Sequence, residues 1–491
     1  FFQAEDGIRD SSTSRGLGDV YKRQLRNLKN SNFFEGKLLL VLDLMNKKKY
    51  VQASKIIKSF NLSNENTYEF IIIKTLESFN NLFKNKKLQY SPTDFGKLSL
   101  IVNAFQNCYL NSNKTDSHFL NLINSAEGDY SRYLFFYLSN VIENKDYKTA
   151  KQISKTIEPF SSTLLISQSK KWIDHENYKK FNKHFSCQNE NDLLSEFFFL
   201  ISNLYSSQNI IETSNFYLSV SNYLNPKFYF NLSLLAENYY DNDNFDISRE
   251  ILEKFSSEDE IYFWYKIKKI AQIISEEEND HKSLKYIEDN ISDLKQKSPK
   301  ILFDLANKYK NFEKYKVAID YYTQVLNQID KNSNMYADVL YRRGGTYERL
   351  KNYSKADKDL LMSLNIRPDH AYTLNYLSYS WLERNIKIEQ AMQMLMRAYE
   401  LREDDPYITD SVGWGYYLIG DFINAEKYLR KAVELMPDDP IVNDHYGDVL
   451  WQLDRKLQAK YFWEHVLELE DTEEEMKKDI ENKLIDGPRK I

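Results

Sequence analysis

Seven histidines and two cysteines are the few side chains of this 491-residue chain best suited to metal or covalent chemistry. His175-Glu176-Asn177-Tyr178-Lys179 opens like the His-Glu-x-x-His pattern of zinc hydrolases but lacks the second histidine, so no metal site is expected there. His445 lies beside Asp444, with Asp448 one helical turn further on, and the three could form an acid–base cluster on one helix face. A partly solvated histidine on a helix surface is the simpler state and the one expected. No GxSxG, P-loop or GxGxxG run occurs, and the residues call for no cofactor. Cys108 and Cys187 have no CxxC or Cys/His spacing around them, which excludes a disulfide framework. One isolated bridge stays possible, while two buried free thiols are expected.

The remaining chemistry is that of recognition. Three clusters fall at corresponding places: Asn375, Tyr379 and Leu382, then Asp410, Trp414 and Tyr417, then Asp444, Asp448 and Trp451. Spacings of three and four put each cluster on one face of a helix, and if such helices line the concave side of a repeat array that face is expected to be exposed. Exposed Trp and Tyr beside carboxylates suit a groove that holds a protein or peptide, because aromatic side chains give much contact energy for little lost freedom. The competing reading makes Trp414 and Trp451 packing residues with partly wet edges. Asp410, Asp444 and Asp448 favour a ligand bearing Lys or Arg, although a solvated acidic face accounts for them equally well.

The elements that must position these clusters are helices. Only 13 Gly and 9 Pro punctuate the chain, too few for the turns of an all-β fold of this length. A single compact core is also excluded by length, so several domains or a repeat array must organise the chain. The 37 Tyr and 29 Phe are expected mostly in the core. With 66 basic and 72 acidic residues the formal net charge is −6, and no overall field draws the chain to nucleic acid. The longest apolar runs, Phe70 to Ile73 and Phe197 to Ile201, are far shorter than the roughly 18 residues that span a bilayer.

A repeat with a period near 34 residues runs through the C-terminal part, with copies at Pro299–Asn332, Ala337–His370, Ala371–Asp405, Pro406–Asp439 and Pro440–Glu473. A small residue recurs in the middle of each first helix: Ala306, Gly344, Ser378, Gly413 and Gly447. Another opens each second helix: Ala318, Ala356, Ala391, Ala425 and Ala459. A larger side chain at these points would push the two helices apart. Tyr309, Tyr347, Trp381, Tyr416 and Leu450 follow the first small residue by one turn and fill the seam. Six of the nine prolines (226, 299, 368, 406, 437 and 440) fall at repeat junctions, where a missing N–H does no harm. Two register shifts are expected, one at Ser333–Tyr336 and one where an extra residue precedes Ala391.

Ser411 to Pro440, SVGWGYYLIGDFINAEKYLRKAVELMPDDP, closely resembles the tetratricopeptide-repeat consensus. The resemblance implies an all-α fold, an α-solenoid of antiparallel helix pairs stacked into a superhelix. Its concave surface, lined by the first helices, would bind a protein or peptide partner. One subgroup of the family holds C-terminal carboxylates through Lys, Asn and Arg of that helix. This chain departs from it, offering Tyr341 and Gly345, Asn375 and Tyr379, then Asp410 and Trp414 instead. The runs NYLSYSWLERNIKIEQAM, DSVGWGYYLIGDF and NDHYGDVLWQL are similar to the last copies of bacterial envelope-type repeat proteins, which implies an adaptor in the cell envelope or periplasm.

Upstream the pattern decays. Copies are read near Ser195 and Tyr229, and Lys48 to Ala53 and Lys145 to Ala150 each look like a turn opening a second helix, placing earlier repeats around Phe34–Leu62 and Ser131–Ser161. Ser63–Asp129, Ser162–Leu194 and Phe263–Ser298 are helical by period but fit the repeat poorly. Residues 1–24 resemble a translated sequencing-adapter peptide and are set aside, so a leader, a lipid anchor or a catalytic domain could have preceded Leu25. The domain reading is therefore 25–298 as degenerate helical repeats, 299–473 as five clear repeats, and 474–491 as a capping helix and tail, in which Met476, Ile480 and Leu484 face the last repeat. A non-catalytic scaffold is the function expected. The alternative is the repeat portion of a larger enzyme or transferase complex.

Overall fold

The computed structural model describes residues 33–60, 67–89, 97–125, 129, 131–158, 160–294, 297–470 and 472–488. The adapter-like residues 1–24 lie outside them. All regular structure among the described residues is helical, with 26 α-helices, two short 3-10 helices and no strand. The chain is an α-solenoid-class protein that divides into two compact units, Phe1–Gln296 and Lys297–Ile491.

One turn recurs throughout both units. The first helix of a pair ends on a left-handed residue, among them Lys48, Lys145, Glu176, Asp243, Glu313, Lys351 and Gly420. The next N–H then reaches back five residues, as in Lys49 to Leu44 (2.8 Å), Asp146 to Val141 (3.0 Å), Asn177 to Trp172 (2.7 Å), Lys314 to Tyr309 (2.9 Å) and Asp421 to Tyr416 (2.9 Å). This Schellman closure satisfies carbonyls that the helix end leaves free and reverses the chain at once. Glycine supplies the left-handed residue at Gly420, and polar side chains accept the strain elsewhere.

In Lys297–Ile491 the pairs are Pro299–Asn311 with Tyr315–Leu326, Asn334–Arg349 with Tyr353–Ile366, Ala371–Glu383 with Ile388–Leu401, Pro406–Leu418 with Phe422–Leu435, and Pro440–Gln452 with Lys456–Glu468. We call these repeats 1 to 5, each with helices A and B. Pro299, Pro406 and Pro440 sit in the first turn of helix A behind Ser298, Asp405 and Asp439, whose side chains accept from backbone N–H groups two or three residues on. The small residues mark the crossings. A Cβ on Gly413 would stand 2.6 Å from Leu429 Cγ and 2.9 Å from the Leu429 backbone nitrogen, and one on Gly447 2.4 Å from Trp463 Nε1. Both register shifts are absorbed locally. Ser333 caps a helix A that begins early, at Asn334, and the extra residue before Ala391 sits in a turn with two left-handed residues, Asn385 and Lys387. A last helix, Glu474–Asp486, buries Ile480 against repeat 5 and stops at Gly487, where φ is +79°.

Phe1–Gln296 uses the same hairpins differently. Its pairs include Phe34–Asn46 with Tyr50–Ile57, Leu98–Tyr109 with Thr115–Ile123, Tyr133–Glu143 with Tyr147–Thr156, Leu164–Asp174 with Lys179–His184, and Glu190–Ser206 with Ile211–Leu224. Gly36 is the one glycine among its described residues, and the buried seams carry serine or alanine instead, such as Ser202, Ser214, Ala236 and Ser248. Phe105, Phe135, Phe136, Phe185 and Phe228 form a continuous ring cluster, with Phe136 and Phe185 centroids 4.6 Å apart. Elements far apart in sequence are tied together. Tyr50 and Tyr109 both donate to the Glu190 carboxylate, at 2.5 and 2.7 Å. Arg132 makes two bonds to Glu196, at 2.7 and 2.8 Å, and one to Asn231 at 2.6 Å.

Cys108 and Cys187 form a disulfide across 79 residues, and both are buried. This overturns the expectation of two free thiols. The fold brings helix Leu98–Tyr109 against the segment ahead of Glu190, where Gln188 donates to the Cys108 carbonyl at 3.0 Å, and sequence spacing carries no trace of that meeting.

Candidate functional site

The predicted recognition residues all lie on helix A of repeats 3 to 5, and the structure brings them together as one continuous layer rather than an open groove. Leu382, Asp410, Tyr417 and Asp448 are buried, while Asn375, Tyr379, Trp414, Asp444 and Trp451 are half-buried. The exposure expected of this concave-side face is therefore corrected. Successive A helices lie against one another, so a face that is free on one helix is covered by the next.

Trp414 is the centre of this layer. Its indole stacks on Tyr417 (4.6 Å between centroids) and on His445 of repeat 5 (4.0 Å), and its Nε1 donates to Glu383 of repeat 3 at 2.7 Å. One side chain thus spans three repeats. His445 Nδ1 is 3.0 Å from both Asp410 oxygens. Burial by itself would lower the His445 pKa, but Asp410, helped by Asp444 and Asp448, outweighs it and raises the value. The imidazole is buried, not partly solvated as expected, and serves as an inter-repeat tie.

The carboxylates read as bait for a basic ligand already hold the chain's own cations. Lys483 of the last helix donates to both Asp444 oxygens at 2.7 and 2.8 Å and to Asp448 at 3.1 Å. Asp410 and Asp444 occupy the same place in repeats 4 and 5, and each pairs with a basic side chain of the helix stacked next to it, His445 and Lys483. Burial, then repulsion from Asp444, pushes the Asp448 carboxyl up to about 7 against the pull of Lys483. Trp451 packs on Trp463 at 5.4 Å, and a Cβ on Gly487 would come within 2.5 Å of its ring, so the end of the last helix closes over it. Asn375 Oδ1 in repeat 3 is buried without a hydrogen-bond partner among the described residues. Burial, then the charges of Glu383 and Asp410, pushes the Tyr379 phenol well above its ordinary pKa.

The residues left open on this helix were missed by the sequence reading. Tyr372, Tyr407 and Ile441 are the second residues of helix A in repeats 3, 4 and 5, and they are 38, 57 and 55 % exposed. A large apolar residue directly after the helix start, recurring with the repeat, was the available signal. No group of three or more His, Cys, Asp or Glu among the described residues could hold a metal ion. Nor is any described helix long and apolar enough to cross a membrane.

The tetratricopeptide repeat model matches residues 337–370, which span repeat 2. Over 93 residues the chain is 36 % identical to the TPR repeat-containing protein PA4667 of Pseudomonas aeruginosa, a match covering 19 % of this chain and 16 % of that protein. The chain therefore spans about a sixth of the length of that curated relative. Among solved structures, a tetratricopeptide repeat protein from Parabacteroides merdae is similar with TM-score 0.42 and 15 % identity, covering 51 % of this chain and 96 % of the other. A thermophilic TPR protein of Thermus thermophilus gives TM-score 0.34 and 18 % identity, over 38 % of this chain and all of the other. Five hairpins share small residues at their crossings and the family model matches one of them, so the chain carries tetratricopeptide-type repeats.

Proposed function

We propose that the chain is a non-catalytic scaffold that holds a peptide or partner protein along the helix-A side of repeats 3 to 5. Tetratricopeptide repeats are in general protein-interaction scaffolds. The observation that carries the reading here is the exposed row Tyr372, Tyr407 and Ile441, apolar side chains repeated at one position of three consecutive repeats. Such a row offers an extended segment one contact per repeat. Trp414, Tyr379, Asn375 and Trp451 border it with their half-open edges, while Leu382, Asp410, Tyr417, Asp444 and Asp448 hold the layer in shape. The Cys108–Cys187 disulfide supports work in an oxidising compartment, consistent with a cell-envelope adaptor.

Photo-crosslinking residues placed at Tyr407 and Ile441 of the full chain, in cells of the source organism, test this reading. Both positions are expected to capture the same protein, and Lys427, exposed on helix B of repeat 4, is expected to capture none. Equal adducts at all three positions, or none at Tyr407 and Ile441, would refute it.

A further inference from the structure

A second surface, in Phe1–Gln296, carries the opposite charge. Between residues 145 and 183 there are nine lysines and four Asp or Glu, in a chain whose net charge is −6. Tyr147 and Tyr178 each follow the closing turn of consecutive hairpins, and their rings stack at 4.3 Å and 20°. They floor an open cleft of about 580 Å³, walled by Glu176, Lys179, Lys180 and Lys183. The charges in the wall are unequally matched. Glu176 is neutralised by Lys151 at 2.6 Å, and Lys180 is held by Glu258 at 2.8 Å and Asp259 at 3.4 Å. Lys179 and Lys183 stand one turn apart on one helix, both exposed, and form no contact ion pair among the described residues, with Glu258, already held by Lys180, the carboxylate whose charge reaches Lys183. Lys148, next to Tyr147, is likewise exposed and makes no contact ion pair among the described residues, although its charge acts on Asp146.

We propose that this cleft binds an acidic peptide segment, with side-chain carboxylates on Lys179 and Lys183 and an apolar side chain against the stacked tyrosines. Charge complementarity selects the occupant. The matched cations already have carboxylate partners at contact distance, and the unmatched ones lie beside the only aromatic floor of the cleft. A nucleic acid would need a longer basic track than three lysines beside a carboxylate, in a chain that is acidic overall. Amphipathic tyrosines beside cations suit a peptide that mixes carboxylates with apolar groups. The surface is independent of the repeat 3 to 5 row, so either site can fail without the other.

Fluorescence anisotropy of the full chain with a fluorescein-labelled Glu-rich peptide containing Leu tests the proposal, with a Lys-for-Glu version and single-stranded oligo-dT as rival probes. The Glu-rich peptide is expected to bind in low salt. The exposed double variant Lys179→Ala/Lys183→Ala should weaken it about ten-fold while leaving circular dichroism unchanged. Tyr178→Leu should weaken the Leu-containing peptide more than an all-Glu peptide. No binding of the Glu-rich peptide, unchanged affinity in the lysine double variant, or tighter binding of oligo-dT or the Lys peptide would overturn it.

Discussion

The two units build the same hairpin and stack it by different rules. In repeats 1 to 5 the ties run to the neighbouring repeat: Trp414 to Glu383, His445 to Asp410 and Lys483 to Asp444 are 31, 35 and 39 residues apart. In Phe1–Gln296 the ties leap over neighbours, with Glu190 bound to Tyr50 and Tyr109 across 140 and 81 residues and a disulfide across 79. Glycine and alanine at the crossings let hairpins nest in one fixed way, so repeats 1 to 5 keep the linear stacking of a solenoid. With serine at the seams and large rings between helices, the other unit is held by an aromatic core and long-range polar bonds.

The disulfide is the largest lever on this contrast. Closing a loop of 79 residues is expected to stabilise Phe1–Gln296 by about 4 kcal/mol through the unfolded chain. The Cys108→Ala/Cys187→Ala variant should therefore lower the melting of that unit by this order and leave repeats 1 to 5 unchanged. Hydrogen exchange read unit by unit would check it, and equal loss of protection in both units would break the comparison.

Seam substitutions come next. Gly413→Ala drives a methyl into Leu429 and its backbone nitrogen, which cannot yield as a side chain end can, and about 2 kcal/mol of stability should be lost. Gly420→Ala meets nothing within 4 Å, and only its φ of +83° resists the change, so its cost should be nearer 1 kcal/mol. Ser202→Ala, at a buried seam of the other unit, removes only a bond to the Phe199 carbonyl and should cost about 1 kcal/mol or less. Urea titrations would rank the three, and an order with Ser202→Ala first would reverse the argument.

The smallest effect is on pH. Asp448, raised to about 7, keeps its proton in the folded chain where the unfolded chain has lost it, so stability falls as pH rises from about 4 to 7. His445, raised above its ordinary value, adds stability below about pH 6.5 that disappears as pH climbs through its folded pKa. Both act in the same direction, with Asp410, Asp444 and Lys483 the charged groups around them. Hydrogen exchange at residues 440–486, corrected for intrinsic rates, should show opening easier by about 1 kcal/mol at pH 8 than at pH 5.5. Greater protection at pH 8 would contradict the signs.

Much of this architecture was legible beforehand, and the failures have physical causes. Lys48-Lys49-Tyr50 and Lys145-Asp146-Tyr147 could be read as turns, because a left-handed polar residue followed by an aromatic helix start is a local arrangement. The turn at Glu176 uses the same chemistry, but its short second helix, Lys179–His184, leaves too few residues for a period to register. The common face of Asn375, Tyr379, Asp410, Trp414, Asp444 and Asp448 followed from helical spacing. That the face is covered did not, since spacing is blind to the neighbouring helix.

The sequence by itself determined the helical class, the period, the crossings at Gly413 and Gly447 and the position of the last helix, because each depends on a few adjacent residues and on steric limits that hold anywhere. The tertiary structure decided what touches water and what pairs with what: Cys108 with Cys187, His445 with Asp410, and Lys483 with Asp444 and Asp448. Those pairings join residues 35 to 79 positions apart. Their existence depends on how helices settle against each other, a property of the packed whole that no single segment carries.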